Sequence, residues 1–236
     1  MSSVSALRSL LEQRFPDAVP IPRHTTRLVA TGFAQLDRAL PGGGFPLGKL
    51  SVCQPQGGTT TILRATCQHV VAGGERAVWI DGAGTVAGAF WDEGPLLIRP
   101  RSRLHSLRTA DELLRSGGFR LVVLAGAEPT DTDVVRLVRS AHDGGGAFVV
   151  LTPLTTMAAV RLAARIAPDH YRWRRDPFGD PAEVEEVRIH VEVRALGWHA
   201  RAEFPVPVQS HELRLSLEPG LADRRGLPRA GLRRAP

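Results

Sequence analysis

The sequence predicts an α/β fold: a mostly parallel central sheet flanked by helices, an antiparallel β-meander toward the C-terminus and a short N-terminal helix. Short, continuously apolar runs such as Phe119–Ala125 and Ala147–Leu151 alternate with helical segments. Strands apolar on both faces belong to a parallel sheet covered on both sides. After residue 168 the period changes to two, most clearly in V-R-I-H-V-E-V-R-A-L at 187–196. That alternation marks half-exposed antiparallel strands. The chain has 236 residues and is 43% hydrophobic, enough for one sizeable core.

In chain order, Val4, Leu7, Leu10, Leu11 and Phe15 fall at helical spacing, giving an amphipathic helix within 1–15. Residues 16–26 are proline-rich and extended, a linker. The domain proper is expected over 27–217. Within it Leu50–Cys53 is a strand, Thr59–Ala72 a helix, Arg76–Asp81 a strand and Pro95–Arg99 a weaker strand. Thr109–Ser116 is a helix, Phe119–Ala125 a strand and Asp131–Ala141 a helix with Val134, Val135, Leu137 and Val138 on its apolar side. Ala147–Leu151 is a strand, and a helix is expected over Thr155–Ala167. The meander follows as Asp169–Arg174, Glu186–Leu196, Arg201–Val208 and Glu212–Leu217, then an arginine-rich tail over 218–236.

Composition narrows the function. No apolar run is long enough to span a bilayer. The N-terminal stretch has an acidic residue and no small-residue cleavage site, unlike a signal peptide. Two cysteines, Cys53 and Cys67, build neither a disulfide framework nor a zinc site, so a reduced cytoplasmic setting and buried thiols are expected. The eight histidines show no ligand spacing, and no metal or other cofactor is expected. The net charge of +6 favours an anionic partner, although Lys49 is the sole lysine and an arginine bias also follows from GC-rich coding.

The residues that carry the functional argument are 49–61, K-L-S-V-C-Q-P-Q-G-G-T-T-T. A strand, a Pro/Gly turn and a threonine-rich helix start occupy the junction where a P-loop carries G-x-x-x-x-G-K-(S/T). In that motif backbone N–H groups wrap the phosphates, the lysine reaches the β/γ-phosphates and the hydroxyl holds Mg²⁺. Here Gln54 stands at the first glycine, the loop is shorter and Thr59 stands at the lysine. Gly57, Gly58, Thr59, Thr60 and Thr61 read either as a vestigial anion site or, more simply, as a tight turn with a threonine cap.

Around this loop the sequence resembles the RecA superfamily. T-G-F-A-Q-L-D-R-A-L-P-G-G-G-F-P-L-G at 31–48 matches the stretch that precedes the P-loop strand in that family, and R-A-V-W-I-D at 76–81 matches its second strand. The likeness runs over roughly residues 1–200 and implies a RecA-like core. It also locates departures. Gly82–Ala83 stand where a catalytic glutamate is expected, Ala125–Gly126 where a Walker-B aspartate is expected, and Thr152–Pro153 where a γ-phosphate-sensing glutamine is expected. The long DNA-binding loop of the family is reduced to Thr152–Thr155. Without clamp, metal-orienting acid and base, hydrolysis is not expected. Asp81 reads as a strand-end cap, and Asp131 and Asp133 as complements to a helix dipole.

Within the superfamily the size, degenerate loop and arginine-rich end are similar to the ImuA proteins. That resemblance implies an accessory role in SOS mutagenesis: binding ImuB, a catalytically inactive Y-family polymerase homologue, and RecA. Docking is expected through Leu7, Leu10 and Leu11, which also suit self-association, and through Leu221, Arg224, Arg225, Leu227, Arg229, Leu232, Arg233 and Arg234. The rival readings are an ATPase clamped by Lys49 or a neighbour's arginine, a single-stranded DNA-binding recombination mediator, and a SulA-like inhibitor of FtsZ. Direct DNA contact centres on Arg172, Arg174 and Arg175, interleaved with Tyr171 and Trp173. The simpler reading of that run is a strand with its aromatic side buried and its arginine side wet.

Overall fold

The computed structural model describes residues 28–86, 94–153 and 157–207. The expected helix at 4–15, the linker at 16–26, the strand Glu212–Leu217 and the tail lie outside the described residues. The elements are β1 (Leu28–Val29), α1 (Ala34–Ala39), β2 (Phe45–Pro46), β3 (Leu50–Cys53), α2 (Thr59–Ala72), β4 (Ala77–Asp81), β5 (Leu96–Ile98) and α3 (Arg103–Arg115). There follow β6 (Leu121–Ala125), α4 (Asp131–Gly144), β7 (Ala147–Leu151), β8 (Val160–Arg165), a 3₁₀ turn (Pro168–His170), β9 (Tyr171–Arg175), β10 (Pro181–Ala195) and β11 (Trp198–Pro207).

Among the described residues the main sheet runs β11-β10-β8-β3-β7-β6-β4-β5, with β9 paired to β10. The pairs β3–β7, β3–β8, β4–β5, β4–β6 and β6–β7 are parallel, and β10 is antiparallel to both β8 and β9. The parallel strands are buried on both faces, which explains their unbroken apolar runs. On one face Leu107, Ala110 and Leu114 of α3 and Val134, Leu137 and Ala141 of α4 pack on Leu50, Val52, Ile80, Val122, Leu124 and Phe148. The alternate residues Trp79, Val123 and Val149 point the other way. There α2 supplies Ile62, Leu63, Cys67 and Val70, all buried.

The described residues divide into two compact units: those up to Arg165 together with His190–Phe204, and Ile166–Ile189 together with residues 205–207. The described part of the second unit is the β9 hairpin with the first half of β10, which carries two register shifts, and the last residues of β11.

One expected element is corrected. Val160–Arg165, read as part of a helix over Thr155–Ala167, is strand β8, parallel to β3. Val160, Leu162 and Ala164 are buried while Arg161 and Arg165 are exposed, a period of two. Alanine, leucine and arginine favour helix locally, but insertion between β3 and β10 satisfies both edges of this segment and overrides that preference. Two further boundaries shift. The helix expected at Thr109 begins at Arg103, with the Ser102 hydroxyl accepting the His105 amide. The meander strand expected at Glu186 begins at Pro181.

The lead-in at 31–48 forms a closed corner. The Asp37 carboxylate accepts both the amide and the hydroxyl of Thr31, each at 2.8 Å. Leu36 is fully buried. Strand β11 is fastened to the same corner: Phe204 stacks on Phe33 with centroids 4.8 Å apart, and Trp198 Nε1 donates to the Ala39 carbonyl at 2.8 Å.

Candidate functional site

Three amides of the turn from β3 into α2 are bonded within the protein. The Gln54 amide donates to the Leu162 carbonyl at 2.9 Å, the Gln56 amide to Gln54 at 2.8 Å and the Thr59 amide to Gln56 at 3.1 Å. These donors are therefore engaged inside the protein, whereas a phosphate loop aims its amides at the ligand. Gly57 has φ +58° and lies so close to β8 that a Cβ there would meet the Ala164 carbonyl oxygen at 2.1 Å. The helix cap is Gly58, not a threonine. Thr59, at the lysine position, is buried, and its hydroxyl donates to the Gln56 carbonyl at 2.7 Å. Lys49 stands at the opposite end of β3, four residues or about 13 Å away along the strand.

The ends of β4 and β6 are tied to each other. The Gly82 amide donates to the Ala125 carbonyl at 2.8 Å. Gly126 has φ +69°, and a Cβ there would lie 2.4 Å from both the amide nitrogen and the Cβ of Ala83. A carboxylate at position 126 has no room in this backbone. Asp81 is buried and organises the following loop, as its cap role requires. It accepts the amides of Thr85 at 3.2 Å and Val86 at 2.9 Å, with Arg99 Nε 3.7 Å away. Arg99 also donates to the Val86 carbonyl.

A cleft of about 790 Å³ opens at the C-terminal ends of β3, β4, β6 and β7. This is where ligands settle in open α/β sheets. Its walls include Pro55, Thr60, Ala83, Ala125 and Leu151, with Arg103 on one side. Arg103 is already committed: it donates to the Glu128 carbonyl at 2.8 Å and pairs with Asp133 at 3.1 Å. Asp133 closes a capping box with Thr130 at the start of α4. Burial opposes the Asp133 charge. Hydrogen bonds from the Thr130 side chain and backbone, with the charges of Arg103 and Arg136, outweigh it and hold the carboxyl below its ordinary range. Cys53 and Cys67 are buried, and burial pushes both thiols up, as core thiols.

In the second unit every residue of β9 is exposed. The expectation of a buried aromatic side is corrected. Tyr171 and Trp173 share one side of the strand, 6.4 Å apart, and are 38% and 49% exposed. Arg172 pairs with Glu185 at 3.3 Å and Glu186 at 3.6 Å, and Arg175 donates to the Gly179 carbonyl at 2.6 Å. Residues 166–189 hold six carboxylates against four arginines. The segment containing Arg172, Arg174 and Arg175 is therefore net negative, which weakens its attraction for phosphate. The docking residues Leu7, Leu10, Leu11, Leu221, Arg224, Arg225, Leu227, Arg229, Leu232, Arg233 and Arg234 lie outside the described residues.

No protein-family model matches this chain, and no curated protein matches its sequence.

Proposed function

We propose that this chain is a non-catalytic RecA-like adaptor in damage-induced translesion DNA synthesis, working by contact with an inactive Y-family polymerase homologue of the ImuB kind and with RecA. The observation that carries the non-catalytic part is the contact of Gly126 with Ala83. A side chain at Gly126, one of the two positions where the metal-orienting acid is expected, would overlap Ala83, where the base is expected. Thr59 adds to it, since its side chain is buried against its own loop. Phosphoryl transfer is positioning and charge neutralisation, and these positions supply neither.

Two features favour the RecA-like scaffold. The lead-in keeps its Thr31–Asp37 corner. The strand before the loop, β3, is separated from β4 by β7 and β6, unlike the doubly wound orders of dinucleotide- and flavin-binding sheets. The place in mutagenesis rests on the sequence resemblance, with 1–15 and 219–236 as the docking segments.

The test is a pair of measurements on the full chain. ATP–Mg²⁺ is expected to leave the melting temperature unchanged, because a nucleotide bound to the native state would raise it. Removal of 1–15 or of 219–236 is expected to weaken capture of the polymerase homologue while the melt persists. A nucleotide-dependent rise defeats the non-catalytic reading, and undiminished capture by both truncations defeats the docking reading.

A further inference from the structure

Among the described residues, one sheet face at the antiparallel end of the first unit is exposed, and that face is basic. Val160, Leu162 and Ala164 of β8 and Val191 and Val193 of β10 turn inward and are buried. Arg161, Arg165 and Arg194 turn outward and are exposed. The register sets Arg194 directly opposite Arg161, and His190 directly opposite Arg165. Two like charges facing each other across a strand pair concentrate positive charge on this face. Strand β11 adds Arg201 and His199, both exposed.

The two glutamates on this face leave part of the charge unbalanced. Glu192 is taken by Arg194 at 2.9 Å and His199 at 2.6 Å, and Glu203 lies 3.4 Å from His190. Among the described residues no ion pair engages Arg165 or Arg201.

Both of these arginines line a pocket of about 400 Å³, together with His190, Glu192, Gln54 and Gln56. Its volume lies in the range of small-ligand sites. The two glutamines come from the turn after β3, which the Gln54–Leu162 hydrogen bond ties to β8. The residue that replaces the first glycine of a phosphate loop thus lines the same pocket as two arginines.

We propose that this face binds single-stranded nucleic acid, with Arg165 and Arg201 on phosphates and one unstacked base seated between Gln54 and Gln56. Guanidiniums suit phosphate oxygens by charge and by paired donors. A carboxamide offers a donor and an acceptor together, which matches a base edge. Base edges of this kind are splayed out only where the strand is unpaired. A duplex would satisfy the arginines and leave the pocket without an occupant. The site is independent of the adaptor reading and lies outside the β9 hairpin, whose arginines are offset by carboxylates.

The experiment is fluorescence anisotropy of the full chain with a labelled, mixed-sequence oligonucleotide of about 16 nucleotides over a salt series. The parent protein is expected to bind with a salt-dependent affinity. Arg165→Gln/Arg201→Gln should lower the slope of log K against log salt by about 1.4, since each phosphate contact on a single strand contributes about 0.7. Gln54→Ala/Gln56→Ala should weaken binding with the slope unchanged, and Arg172→Gln/Arg174→Gln should change neither. Circular dichroism melts accompany each variant; the arginine double variant is expected to keep the parent's stability, because both residues are exposed and no ion pair among the described residues engages them. Absence of binding at low salt, an unchanged slope in the arginine variant, or equal displacement by a duplex or by inorganic polyphosphate would overturn the proposal.

Discussion

Gly126 and Ala83 touch across the ends of β6 and β4, and a single added carbon at Gly126 would approach Ala83 to 2.4 Å. Gly126 also holds φ +69°, a left-handed conformation that costs an L-residue about 1–2 kcal/mol. The pair therefore fixes how closely the two strand ends approach at the wall of the cleft. A sequence that merely lacked a Walker-B acid could regain one by mutation. At position 126 this backbone would have to move first.

Gly126→Asp is accordingly expected to destabilise the fold by at least about 2 kcal/mol, strain and steric overlap together, and to yield no magnesium-dependent ATP hydrolysis. Urea unfolding and a phosphate-release assay check both halves. A stable variant with turnover would mean that the strand ends separate easily.

The Thr31–Asp37 corner predicts a cost at a site remote from any ligand. Asp37 accepts two hydrogen bonds from Thr31, and bonds to a charged group contribute about 1.5–3 kcal/mol each. Asp37→Ala should lower stability by roughly 2 kcal/mol or more, whereas Thr31→Ser, which keeps both donors, should cost under about 1 kcal/mol. Equal losses for the two variants in urea melts would show that the hydrogen bonds are not what holds the corner.

The parallel core was legible because Leu121–Ala125 and Ala147–Leu151 are apolar on both faces, and nothing but a doubly covered sheet accommodates them. Strand β8 was misread because Leu162–Arg165 are good helix formers; the alternation of Val160, Leu162 and Ala164 with arginines was the signal that would have corrected it. Leu28–Val29 and Phe45–Pro46, two residues each, are too short to announce themselves. The missing groups of the phosphate loop were visible as letters. The Gly126–Ala83 contact was not, because it joins two loops far apart in sequence. Nor was the basic face, since Arg161 and Arg165 meet Arg194 and His190 only through the register of β8 with β10.

Acid sensitivity follows from Asp133. Its folded carboxyl lies below the ordinary value, so it contributes stability in full above about pH 4, the unfolded value. That contribution is lost as pH falls from there through the lower folded value. Asp133→Asn should therefore be less stable than the parent by about 1 kcal/mol at neutral pH, the usual worth of such a cap. The gap should narrow as pH falls below about 4. Denaturant melts at the two pH values measure it, and a gap independent of pH would assign the effect to packing.

The exposed aromatic side of β9 predicts an unusually tolerant tryptophan. Trp173 is 49% exposed and its neighbour Tyr171 38%. A buried tryptophan truncated to alanine costs about 3–5 kcal/mol, while exposed positions usually change stability by about 0.5 kcal/mol or less. Half-burial against a two-stranded hairpin places Trp173→Ala near the lower figure, at about 1 kcal/mol or less. Tryptophan fluorescence is complicated by the other three tryptophans of the chain, so far-ultraviolet circular dichroism in urea is the suitable readout. A loss of several kcal/mol would mean that the ring is covered in solution by something other than the hairpin strands.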